Sequence, residues 1–270
     1  MKRIFIWLLL LLLGTAAHSQ TPDIPPRKDV SSTSGLWLGT YTKYRLGKRL
    51  FYYGEYHYRR RERFISDMAQ IYLRFGMTYL LNKKVELTAG VVTPLYWAPG
   101  DKRGEPEITD VVPQYRFWEQ LLLVQPFERL KLYHTIRLEQ RWRRDYVEGS
   151  PFELTFRFRY KLSAYYPLNK EKLVNRTLFF SGYNEIFIQA GKSVVYNHFE
   201  DNRMFLGLGY IISENWQVQT GYMWTYRHAG GPYSYEFRHI PRLSIYHNLD
   251  FYRQRLNRRK RRPKRLNNDF

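Results

Sequence analysis

The sequence predicts an all-β protein, an antiparallel transmembrane β-barrel of twelve strands, with ten as the alternative count. Three observations carry that prediction. Segments in which apolar and polar residues strictly alternate follow one another through most of the chain, and a β-strand, unlike a helix, sends alternate side chains to opposite faces. The composition holds 24 Tyr, 17 Phe and 7 Trp, yet the mean hydropathy is −0.56. That combination suits a barrel in a bilayer, where only alternate residues meet lipid and aromatics girdle both interfaces. The connections between segments also mostly alternate between short and long, as the two rims of a bacterial outer-membrane barrel require; the one after the seventh segment is longer than that rule asks.

Residues 1–19 read as a signal peptide: Lys2 and Arg3, the apolar run Ile4–Leu13, then small residues to Ser19 ahead of Gln20. The run is shorter than the roughly 20 residues of a spanning helix. The chain has no cysteine, which removes disulfides, thiolate metal sites and a lipid-bearing cysteine after the signal. Residues 20–34 carry Pro22, Pro25 and Pro26 and are expected to be a flexible lead-in. The barrel is expected over residues 35–252, and 253–270 as a disordered basic tail.

Leu36–Leu46 and Leu50–Arg59 pair across Gly47-Lys48, a hairpin signal. Met68–Leu81 and Val85–Leu95 turn at Asn82-Lys83-Lys84, and Trp97–Val112 is a long connection rich in Pro, Gly and charge. Gln114–Gln125 has unclear facing, because Trp118 shares parity with Arg116. Leu130–Trp142 is the most helix-like by composition, but period 2 fits it better. In Glu153–Tyr165 the alternation is plainest: Leu154, Phe156, Phe158, Tyr160 and Leu162 oppose Thr155, Arg157, Arg159 and Lys161. Thr177–Ala190, Arg203–Ile212, Trp216–Arg227 and Ile240–Tyr252 complete the series. These are eleven segments; an even ring asks for a twelfth, expected in the lead-in.

The apolar faces are expected to meet lipid and the polar faces the interior. The predicted interior set is Arg74, Glu86, Arg116, Arg137, Glu139, Arg141, Arg157, Arg159, Lys161, Arg242 and Asp250. Its mixed signs allow a salt-bridge mesh in place of an open channel, since unpaired charges away from water are costly. A lipocalin-type barrel would reverse these faces but closes with about eight strands, and a β-sandwich with a solvated charged face is the bland alternative. Formal net charge is +20, from 44 basic and 24 acidic residues. Arg253–Arg265 holds nine basic residues and no acid, including Arg258, Arg259, Lys260, Arg261, Arg262, Lys264 and Arg265. For an exported chain, anionic headgroups or a cell-wall polymer suit this tail better than nucleic acid.

Gly35-Leu36-Trp37-Leu38-Gly39, Leu138-Glu139-Gln140-Arg141-Trp142-Arg143, Phe156-Arg157-Phe158-Arg159-Tyr160 and Arg203-Met204-Phe205-Leu206-Gly207-Leu208-Gly209-Tyr210 together resemble the domain of unknown function 2490 family. The resemblance implies a small exported outer-membrane barrel of Gram-negative bacteria, with no established activity.

Catalytic signals are few. His57, His134, His198, His228, His239 and His247, with Ser181, Ser193 and Ser244, are the material for a Ser–His pair, but no Gly-x-Ser-x-Gly elbow selects one. Gly191-Lys192-Ser193 lacks the first glycine of a phosphate loop, and no metal or cofactor motif is present. The expectation is a non-enzymatic outer-membrane barrel, structural or a narrow pore with a cationic lumen, in contact with outer-membrane lipids including lipopolysaccharide. The alternatives are a lipid-modifying barrel enzyme and a secreted soluble β-protein that binds an anionic polymer.

Overall fold

The computed structural model describes residues 27–261; the predicted signal peptide, the first part of the lead-in and the tail beyond Arg261 lie outside them. Twelve strands follow in order: β1 (Asp29–Arg45), β2 (Leu50–Arg61), β3 (Asp67–Asn82), β4 (Val85–Trp97), β5 (Val111–Pro113), β6 (Tyr115–Pro126), β7 (Lys131–Arg143), β8 (Glu153–Pro167), β9 (Thr177–Ala190), β10 (Phe199–Ile211), β11 (Trp216–His228) and β12 (Ser234–Asp250), before helix α1 (Phe251–Arg261).

Antiparallel neighbours run round the sheet, and β3–β4 and β1–β12 close it into a ring of eleven strands. The twelfth, β5, pairs only with the end of β4, in line with β6. So the twelfth strand is not hidden in the lead-in. β1 does begin six residues before the expected boundary, at Asp29. An odd ring of alternating strands must close one pair in the same direction, and β1 runs parallel to β12 from Asp29↔Ser234 to Arg45↔Asp250. Pairing at this seam lapses over Gly35 and Leu36, opposite Ile240 and Pro241, where the proline has no N–H to give.

All five connections from an odd to an even position in the ring lie at one rim, starting with the β1–β2 turn; the others, including the long residues 98–110, lie at the opposite loop rim. The helix-like segment is strand β7. The basic tail does not start disordered: Asp250 Oδ1 accepts the backbone N–H of Arg253 at 2.7 Å, an N-cap, and α1 continues to Arg261.

Side chains alternate as the sequence predicts. On β8, Phe156, Phe158 and Leu162 are exposed on the outer face, while Thr155, Arg157, Arg159 and Ser163 are buried. Leu206, Leu208 and Tyr210 on β10, and Leu87 and Val91 on β4, extend the outward apolar surface. At the turn rim Trp216 stacks on His247, ring centres 4.2 Å apart, and His247 shares a 3.0 Å hydrogen bond with the Tyr44 hydroxyl. His247 therefore faces outward among aromatics, as its parity predicts.

Aromatics also fill the inside, which the pattern of apolar faces did not suggest. Trp37, Phe205, Met223 and Ile240 form one buried cluster, and Tyr72, Val92 and Trp118 another. Trp118 lies inward because Gly76 and Gly90, paired across β3 and β4, leave room for its ring. A Cβ on Gly76 would come within 2.8 Å of that ring, and one on Gly90 would strike the Phe75 carbonyl oxygen at 2.0 Å. Replacing Gly90 by Val should cost about 1–3 kcal/mol, the usual penalty of overpacking. Urea unfolding followed by tryptophan emission measures it; an unchanged midpoint would show that the close approach contributes nothing.

Candidate functional site: the charged interior

The interior is organised round Glu139, on β7, which is about 1% exposed. Strand register sets Glu139 opposite Trp118 of β6 and Arg157 of β8. Its Oε1 accepts hydrogen bonds from Arg74 at 2.9 Å and Arg159 at 2.7 Å. Its Oε2 accepts from Arg157 at 2.5 and 3.0 Å and from Arg116 at 3.3 Å. One carboxylate thus gathers four guanidinium groups from three strands.

The pattern continues outward with alternating sign. Arg74 also meets Glu55 of β2 at 3.2 Å, and Arg137 reaches that carboxylate from β7 at 3.9 Å. Arg159 turns to Glu185 on β9 at 2.7 Å. Arg157 and Arg141 share Glu200 on β10, at 3.3 and 2.6 Å. Arg242 on β12 donates to the hydroxyls of Tyr41 and Tyr183. The mesh therefore ties β2 to β10 across the barrel, and Arg242 links β12 to β1 and β9.

Aromatic rings hold the guanidinium planes. Arg74 and Arg137 lie over Trp118 at 4.6 and 4.8 Å from the ring centre, and Arg203 and Arg159 over Phe187 at 4.2 and 4.6 Å. Arginine suits such sites because its flat, weakly hydrated cation stacks while its edge still donates. This resolves the ambiguous facing of β6: Trp118 and Arg116 share a parity because the ring supports arginines.

Of the predicted interior residues, Arg74, Arg116, Arg137, Glu139, Arg141, Arg157 and Arg159 are buried together in the mesh. Lys161 faces inward below it, its Nζ 5.6 Å from the Tyr183 ring centre. Glu86 pairs with Lys43 at 2.7 Å, half-buried towards the turn rim. Asp250 is not in the interior: it sits on the turn rim, paired with Arg45 at 3.2 Å and capping α1. Arg258–Arg261 fall in the last turns of α1, while Arg262, Lys264 and Arg265 lie outside the described residues. Sequence reading missed Glu55, Glu185 and Glu200 as partners. Glu55 and Glu185 share a parity with inward residues, which was the available signal. Glu200 lies in a part of β10 that starts four residues before the expected segment.

Towards the loop rim the mesh opens into a cavity of about 720 Å³, walled by strand ends and loops. Eleven of its lining residues are arginines and six are carboxylates. The histidines have other company. His57 lies 3.3 Å from Glu55 and 2.8 Å from Arg59, and His134 contacts the Tyr160 hydroxyl at 2.9 Å. Ser181 accepts a hydrogen bond from Gln219.

Replacing Glu139 by Gln removes the charge that four buried arginines share, and should cost about 3–5 kcal/mol, as for other broken buried ion pairs. Urea unfolding of the folded barrel reads the loss. Arg116→Met, which removes an arginine whose one carboxylate partner among the described residues is Glu139, should restore part of it when added to Glu139→Gln. Equal midpoints for wild type and the single variant would show that the mesh does not hold the barrel.

No curated protein matches the chain. A family model matches residues 34–235 and so takes in the mesh and most of the ring. The chain belongs to the family described as Protein of unknown function (DUF2490).

Proposed function

We propose that the protein is a non-enzymatic β-barrel of the bacterial outer membrane, with a cationic interior closed part-way along by its own ion pairs. One observation carries the reading: the ring is apolar outside and charged inside. Exposed Phe156, Phe158, Leu162, Leu206 and Leu208 would be costly in water, whereas charges as buried as Arg74 and Glu139 are tolerated where they pair. The ring strands have 12–17 residues, more than the roughly 9–11 that a tilted strand needs to cross a bilayer. The export-like N-terminus and the apolar belt together favour the outer membrane. Lipids of that membrane, lipopolysaccharide among them, would contact the belt. Helix α1 and the basic residues after it would meet anionic headgroups or a cell-wall polymer at the turn rim. The tyrosine, glutamate and arginine partners of His57 and His134 fit structural roles better than activation of a serine.

The mesh favours a structural barrel over an open pore, because ions would have to displace paired charges. A narrow anion-preferring pore is the second reading, favoured by the surplus of arginines at the loop rim. Protein from the membrane fraction should resist carbonate extraction and migrate differently on gels before and after boiling. Recovery in the soluble fraction without a shift would overturn the membrane reading. In planar bilayers the wild type should pass almost no current. Steady anion-selective current, reversed by Arg143→Glu with Arg144→Glu, would decide for the narrow pore.

A further inference from the structure

The cavity at the loop rim differs from the mesh beneath it in one respect: several of its arginines have no carboxylate. In the mesh Glu139, Glu55 and Glu200 are each shared by two or more guanidinium groups, and Glu185 takes Arg159. In the cavity Glu200 serves Arg141 and Arg157, Asp201 serves Arg203, and Glu236 serves Arg238 at 2.6 Å. Arg59 donates instead to neutral groups, Gln70 Oε1 and His57 Nδ1, both at 2.8 Å. Among the described residues, Arg143 and Arg144 have no carboxylate within ion-pair distance.

Donors are also left unused. The Nε–H groups of Arg59, Arg116, Arg141 and Arg144 are buried without a hydrogen-bond partner, as are the hydroxyls of Ser193 and Thr225; one oxygen of Asp201, an acceptor, is unpartnered as well. Buried donors without acceptors are costly, and the residues that carry these line the same cavity. Arg59 is also held in place over Trp37, 3.7 Å from the ring centre, with Arg203 also over that ring at 5.1 Å. A stacked guanidinium keeps its edge for an oxyanion and loses little freedom on binding.

We propose that this cavity is a binding site for a small anion bearing phosphate groups. Phosphate fits better than carboxylate because the donors come from β2 and from the paired strands β6 and β7, and a tetrahedral group offers acceptors in several directions. A phosphate group also carries more charge and more acceptor oxygens than a carboxylate, which suits a space lined by more arginines than acids. The volume of about 720 Å³ lies in the range of small-molecule sites and admits more than one phosphate. Arg116, Arg141 and Arg157 of the mesh line the inner end of the site. The mouth is at the loop rim, so the phosphate belongs either to a soluble molecule or to a headgroup that reaches over that rim.

The site concerns the inside of the barrel only. It can be assayed in detergent, or in plain buffer should the chain prove soluble, so its failure is distinct from failure of the membrane reading. Isothermal titration of the folded full chain with inorganic tripolyphosphate, and separately with a short-chain phosphatidic acid, tests it. Arg59→Gln with Arg144→Gln should weaken binding roughly tenfold or more. Lys83→Gln with Lys84→Gln, at the other rim, should leave it unchanged. Heat with tripolyphosphate assigns a soluble ligand, and heat with the lipid alone a headgroup. Circular dichroism separates a folding defect from loss of the site, and Arg143→Gln alone carries the test if the double variant unfolds. Binding of neither probe at millimolar concentration, or equal weakening by the lysine changes, would overturn the proposal.

Discussion

Everything inside this barrel depends on a carboxylate with more claims on it than it has oxygens. Glu139 accepts from Arg74, Arg116, Arg157 and Arg159, and each of the last two then turns to a further acid. A ring of eleven strands encloses more space than aliphatic side chains readily fill. Long arginines reach across it, but only where negative charge receives them, because an isolated buried cation would have to shed its proton or its place. The few interior acids therefore fix where the arginines point, and the arginines fix the distance between opposite walls.

The aromatic content serves two environments at once. Outside, Phe and Leu side chains form a belt with Trp216, Tyr44 and His247 at its turn rim. Inside, Trp118, Phe187 and Trp37 are flat supports for guanidinium groups. Glycines on the inner face, such as the Gly76–Gly90 pair, bring the backbone close enough for a large ring to lie against the wall. Rings stacked with arginines give a rigid interior without requiring that every charge find an opposite charge.

What the sequence discloses and what it hides divide along a physical line. Alternation is local, so the eleven ring strands, the polarity of β8 and β10 and the inward arginines were legible from one stretch at a time, whereas three of the interior acids were not. Closure is not local. Nothing near Trp37 or Arg242 indicates that β1 and β12 run side by side in the same direction. Trp118 resisted assignment because hydrophobicity places an indole outside, whereas its true partners, Arg74 and Arg137, are 44 and 19 positions away. The first part of β12, residues 234–239, lies ahead of the expected segment Ile240–Tyr252, and the structure shows the seam lapsing where the two meet. Helix α1 was missed because its run of like charges suggests a solvated coil, while Asp250 supplies the cap that starts it.

The parallel seam bears on how such a barrel could change in size. Antiparallel rings grow or shrink by hairpins, two strands at a time, and two added to an odd number is still odd. A descendant that gained or lost a hairpin would keep one same-direction pair, and its two ends would still leave by opposite mouths. Only gain or loss of a single strand would bring both ends to one side, and that would reverse the direction of every later strand relative to those before it. The arginines at one mouth would then stand at the other. Parity thus protects the polarity of the barrel: the charged cavity and helix α1 stay at opposite ends through any change that proceeds by whole hairpins.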